Sequence, residues 1–203
     1  MRFNRLTVFN HLWAIAGFCE WTRWTWTESP WSSGLLVTSM ALFVFPNSVL
    51  CLALYAATQV LFATLAANAP WNHGLMMALM NLAILVSIAW CWIERKRASG
   101  DATGTPDPEV LVDTFGPALR LSLIVLYFIT FFHKLNSDFV NPDVSCAGVL
   151  LGWLNHSYRI LPLEEWAVVL GIWACLAVEL MVPLLLCFRR TVYFGLAIGT
   201  AFH

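Results

Sequence analysis

From Gly74 to Ile93 the sequence GLMMALMNLAILVSIAWCWI runs for twenty residues without a charged side chain. A helix rises ~1.5 Å per residue, so ~20 such residues match the ~30 Å hydrocarbon core of a bilayer. Residues 48–67 have the same property. The rest of the chain agrees with a lipid solvent: 60% of its 203 residues are hydrophobic, 11% are charged and 11 are tryptophan, with a mean hydropathy of +0.72. Soluble domains carry roughly a quarter charged residues. The chain therefore reads as an integral membrane protein, an all-α polytopic transmembrane bundle with the lipid bilayer as its first partner. A formal net charge of -1 leaves no basic excess for a nucleic-acid partner.

Two further segments are long enough to cross. Residues 166–188 span with some tilt and a kink at Pro183, and residues 117–133 begin with Pro117, a favoured first-turn residue, and end at Lys134. Residues 6–26 and 31–45 are weaker candidates, because the first holds Asn10, His11 and Glu20 and the second is cut short by Pro46. They read as a helical hairpin or as interfacial segments. Residues 192–203 are apolar but rise only ~18 Å, which predicts a truncated chain or an incomplete last helix. The count is six or seven helices in one transmembrane domain over residues 1–203. The tract ERKRASGDATGTPDPEVLVDTFG, residues 94–116, reads as a solvent-exposed loop.

Orientation follows from the cations. Arg2 and Arg5, then Arg95, Lys96 and Arg97, then Arg189 and Arg190 all fall on one side if the helices alternate, and that side is expected to be cytoplasmic. The N-terminus is then cytoplasmic, and residues 68–73 and 134–165 face outward. The expected location is a multi-pass one, in the plasma membrane or a bacterial inner membrane. The six cysteines show no paired spacing and sit mostly in apolar runs, so neither a disulfide framework nor a zinc cluster is readable.

The topology gathers Glu20, Arg23, Asn72, His73, His133, Lys134 and Asp138 at the outer face, with Tyr127 and Thr130 on the helical face that carries Lys134. Lys134 has two readings. A cation at a helix C-terminus complements the dipole and can snorkel its amine to the interface. A desolvated lysine can instead act as a base toward a weak acid such as a hydroquinone. His73 is either an interfacial histidine beside Trp71 or a ligand-binding imidazole. A metal site from His73, His133 and His156 has no ligand spacing to support it. Glu179 is the one carboxylate deep in an apolar helix, where acids are functional candidates. It lies ~20 Å from the outer end of that helix, which predicts that it is too deep to pair with Lys134 and leaves a structural pairing or a proton relay open.

The segments APWNHGLMMALMNL and YFITFFHKLNSDFVNPDVSC resemble the membrane domain of the vitamin K-dependent gamma-glutamyl carboxylases and their bacterial relatives, the horizontally transferred transmembrane (HTTM) domain proteins. An Asn-His pair opens one helix, and a later helix ends in a Lys-Leu-amide-x-Asp-aromatic motif. The final stretch ELMVPLLLCFRRTVYFGLAIGTAFH resembles the family's following helix pair. At the flanking positions this chain has His133, Asn136 and Phe139 where the carboxylase has lysine, aspartate and tryptophan. The resemblance implies Lys134 as the base that deprotonates vitamin K hydroquinone or another quinol, and His73 as its helper. Asn72, His133 and Asp138 on the outer face, with Tyr127 and Thr130 on the helical face of Lys134, are the expected surrounding site. Two other functions fit the residues: a non-catalytic anchoring or assembly module indifferent to Lys134→Ala, and a small transporter dependent on Glu179.

Overall fold

A computed structural model describes residues 4–24, 30–65, 72–99, 104–158 and 165–202. Helix accounts for 88% of these residues, and no strand occurs among them. In chain order the described helices are α1 (Arg5–Trp24), α2 (Pro30–Val44), α3 (Val49–Leu65), α4 (Asn72–Ser99), α5 (Pro108–Lys134), α6 (Ser137–Val140), α7 (Cys146–Tyr158), α8 (Glu165–Cys187) and α9 (Val192–Phe202). Three stretches, Gly74–Ala98, Pro108–Lys134 and Trp166–Cys187, are long and apolar enough to cross a membrane. The chain divides into two compact units, Met1–Leu119 and Arg120–His203.

The loop expected at residues 94–116 is mostly helix. Glu94, Arg95 and Lys96 are good helix formers, and Lys96 and Arg97 suit the negative end of the dipole, so α4 continues to Ser99. On the other side Asp107 Oδ1 accepts the backbone N–H groups of Glu109 (2.8 Å) and Val110 (3.4 Å), and Pro108 takes the first helical position. Pro117 consequently lies inside α5 rather than at its start. Residues 137–140 and 146–158, read only as part of an outward segment, form α6 and α7.

The first unit packs α1 on α2, α2 on α3 and α3 on α4. Its interior is mainly apolar, with Leu6, Leu35, Leu42 and Leu52 fully buried, but polar side chains lie among them. Asn10 and Asn81 are fully buried and Gln59 is 2% exposed, whereas Leu50 is 67% and Val37 is 65% exposed. That pattern suits a lipid exterior, where apolar side chains cost nothing outside and polar ones join helices inside. Asn10 Nδ2 donates to the Pro46 carbonyl at 2.7 Å, and Trp13 Nε1 donates to Asn81 Oδ1 at 2.9 Å. Gln59 Nε2 donates to Glu20 Oε2 at 3.0 Å and to the Tyr55 hydroxyl at 2.9 Å. At the start of α1, Arg5 is paired with Glu109 and with Asp113 (2.9 Å). Hydrogen bonding to Asp113, then to Glu109, raises the Arg5 guanidinium further above its ordinary pKa.

The second unit is organised around α8, which packs against α6, α7 and α9. Tyr127, Val182 and Leu186 form one buried cluster, flanked by Leu123, Ile124, Val178, Val192 and Ile198. Phe139, Ile172 and Leu176 form another. Arg120 Nε donates to the Leu186 carbonyl at 2.5 Å, placing a cation at the C-terminal end of the α8 dipole.

Close packing in the first unit depends on Gly17. A Cβ there would lie 2.4 Å from the Tyr55 hydroxyl oxygen and 2.7 Å from Ser39 Oγ, whereas one at Gly116 would meet nothing within 4 Å. Gly17→Ala should therefore destabilise the detergent-solubilised protein by about 1–3 kcal/mol. Gly116→Ala should leave stability unchanged or slightly raised. Thermal unfolding followed by circular dichroism separates the two, and equal melting temperatures would contradict the packing described.

Candidate functional site

The local structure around Lys134 is written in the six residues that follow the α5 core. Asn136 Nδ2 donates to the His133 carbonyl at 2.7 Å, and its Oδ1 accepts the Phe139 N–H at 2.8 Å. One asparagine thus closes α5 and caps α6, with the extended backbone expected of an N-cap. The short helix brings Phe139 back under the end of α5, where its ring centroid lies 5.2 Å from Lys134 Nζ. Attraction of the ammonium to the ring face is strongest where water is excluded.

Lys134 Nζ reaches Glu179 Oε1 at 2.5 Å and Cys175 Sγ at 3.6 Å. The lysine side chain is 28% exposed and the glutamate 5%. This overturns the expectation that Glu179 is too deep to meet Lys134. That expectation set the start of α8 level with the end of α5. Here α6 and α7 pack against the first half of α8: Phe139 joins Ile172 and Leu176, and Leu151 lies against Gly171. The first ~10 residues of α8, ~15 Å of helix, therefore extend past the end of α5. From that point α5 and α8 run antiparallel. Lys134 faces Glu179, Tyr127 packs on Val182 and Leu186, and Arg120 meets Leu186.

Glu179 Oε2 is buried and has no hydrogen-bond partner among the described residues. An acceptor of this kind costs stability unless something donates to it, so the site holds an open hydrogen-bond acceptor. The ion pair leaves one ammonium and one carboxylate to act as a unit.

The expected site residues divide accordingly. Tyr127 is buried two turns before Lys134, and Thr130 between them donates its Oγ1 hydrogen to the Tyr127 carbonyl at 3.0 Å. His133 and Asp138 are exposed, and the Asp138 carboxylate accepts from Ser137 Oγ at 3.3 Å. Asn72 and His73 open α4 in the first unit, and their side chains, like that of Arg23, lie outside those described. Glu20 belongs to the first unit, bonded to Gln59. Sequence reasoning missed Cys175 and Phe139 as neighbours of Lys134. The signal for Phe139 was the Asn136 cap, three residues earlier. No family model matches the chain, and neither a curated protein nor a solved structure matches it.

Because each member of the pair is the other's main partner, substitutions at the two positions should be coupled. Lys134→Met or Glu179→Leu alone leaves a charge stranded in an apolar setting and should cost about 3 kcal/mol of stability. The double variant should be more stable than either single one. A double-mutant cycle on thermal unfolding in detergent checks this, and additive losses would show that the pair is not formed.

Proposed function

We propose that the chain is a multi-pass membrane protein of the HTTM type whose Lys134–Glu179 pair accepts a proton from a lipophilic, quinol-like ligand. The observation that carries this reading is the buried Glu179 carboxylate, tied through Oε1 to Lys134 and with Oε2 uncommitted. In this arrangement Glu179 Oε2 takes the proton, and the Lys134 ammonium balances the negative charge left behind. The site stays neutral overall, which a low-dielectric setting demands. Tyr127, whose hydroxyl lies toward Gly199 on α9, and Phe139 would wall the ring. A bound hydroquinone would supply the weakly acidic hydroxyl and, with oxygen, the oxidation chemistry that the family resemblance implies. The assignment differs from that resemblance in one respect: the lysine stabilises charge and the glutamate receives the proton.

The proposed topology has α4, α5 and α8 crossing fully, α3 crossing before them, and α1 and α2 forming a hairpin. The N-terminus and the Arg95-Lys96-Arg97 run are then cytoplasmic, and Asp138 is outside. With the exposed native cysteines replaced by serine, a membrane-impermeant maleimide should label Asp138→Cys in intact cells and Lys96→Cys only after permeabilisation. The reverse pattern would invert the topology.

A second reading has its own support. Lys134 is engaged by a carboxylate, a thiol and an aromatic ring at once, as a structural clip in a non-catalytic assembly module would be. Turnover distinguishes the two. Supplied with vitamin K hydroquinone and oxygen, the purified wild type should form epoxide, and Glu179→Gln should lower the rate by about 100-fold or more while the protein stays folded. A wild type no more active than Glu179→Gln would leave the clip.

A further inference from the structure

A cavity of about 360 Å3 opens between the last turns of α4 and the first turns of α5, floored by Trp90, Cys91 and Val110 and rimmed by Glu94, Arg95 and Asp107. Cys91 Sγ and Thr114 Oγ1, 3.5 Å apart, close its base. The change from floor to rim coincides with the end of the uncharged run: Trp90 and Trp92 are exposed, and Glu94 is the first charge after it. Tryptophans followed by charges mark the depth at which acyl chains give way to headgroups. The cavity therefore straddles the boundary that a phospholipid straddles.

Its rim carries two carboxylates and one guanidinium. Asp107 is committed to the N-terminal N–H groups of α5, and Arg95 donates to the Thr105 carbonyl, which holds the guanidinium at the mouth. Glu94 is exposed on the same rim, one turn after the Trp90 indole. A carboxylate and an aromatic face together suit a cation, and the adjacent guanidinium suits a phosphate. We infer that this cavity binds a phospholipid with a primary-ammonium headgroup, of the phosphatidylethanolamine class. The ammonium sits at Glu94, the phosphate lies toward Arg95, and the acyl region lies along Trp90 and Val110. A phosphatidylglycerol headgroup has no ammonium to offer the Glu94 carboxylate. A choline headgroup has the charge but no N–H to donate to Glu94. The site rests on the membrane placement of α4 and is independent of the proton chemistry at Glu179.

The test uses the purified full chain in detergent, mixed with equal amounts of phosphatidylethanolamine, phosphatidylcholine and phosphatidylglycerol, with retained lipid counted by native mass spectrometry. Phosphatidylethanolamine should be retained about fivefold over either competitor, the size of one partly exposed charge-assisted hydrogen bond. Glu94→Gln should erase that preference, and Arg97→Gln, on the same turn but outside the cavity, should keep it. Val110→Trp, which fills the floor, should reduce retention of all three lipids. Equal retention, a preference for phosphatidylglycerol, or a preference that survives Glu94→Gln would overturn the inference. Soluble phosphoethanolamine at the same concentration should not displace the lipid; displacement would assign the cavity to a free ligand and overturn the lipid assignment.

Discussion

A half-buried ammonium and a buried carboxylate, paired at the edge of a cluster of phenylalanine, isoleucine and leucine side chains, hold the second unit in one register. Apolar packing alone between α5 and α8 would tolerate sliding, because leucines and valines substitute for one another along a helix face. The pair at Lys134 and Glu179 does not, since a shift of one turn would strand both charges. Tyr127 against Val182 and Leu186, and Arg120 on the Leu186 carbonyl, lie along the same antiparallel line and add their constraints to it. The α6–α7 insertion makes that register possible by occupying the first half of α8.

The first unit obeys the same rule with neutral groups. Asn10, Gln59 and Asn81 lie inside among buried leucines such as Leu35 and Leu52, each donating a side-chain N–H to a helix neighbour or a carbonyl, while other leucines and valines, Leu50 and Val37 among them, face outward. In hydrocarbon the driving force of burial is absent, so helix association falls to hydrogen bonds, close approach and shape. Gly17, pressed against Tyr55 and Ser39, is the close approach that lets α1 join the others.

Much of this was legible before any coordinates. The helical segments at residues 48–67, 74–93 and 166–188 were evident from length and apolar composition, and α3 (to Leu65), α4 and α8 form there. Errors arose where charged residues were taken as the end of structure. Glu94 to Ser99 is helix because its residues favour helix irrespective of solvent, and α5 begins at Pro108 because Asp107 caps it. Three prolines, Pro106, Pro108 and Pro117, stood near a candidate start, and the one preceded by the capping Asp107 begins the helix. Helical spacing puts Tyr127 and Lys134 on one face of α5, a property of one segment, and both side chains meet α8.

What the sequence by itself determined is the elements and their apolar character: runs of ~20 mainly apolar residues are long enough to cross a bilayer, and within one of them a single acid, Glu179, stands out. Only the tertiary structure decided which side chain that acid meets. Partner choice between helices depends on relative height, and height depends on how the intervening chain packs, which no local pattern encodes. Here α6 and α7 fold against the start of α8 and set its midpoint level with the end of α5. That offset brings Glu179 to Lys134 and turns two isolated charges into one site.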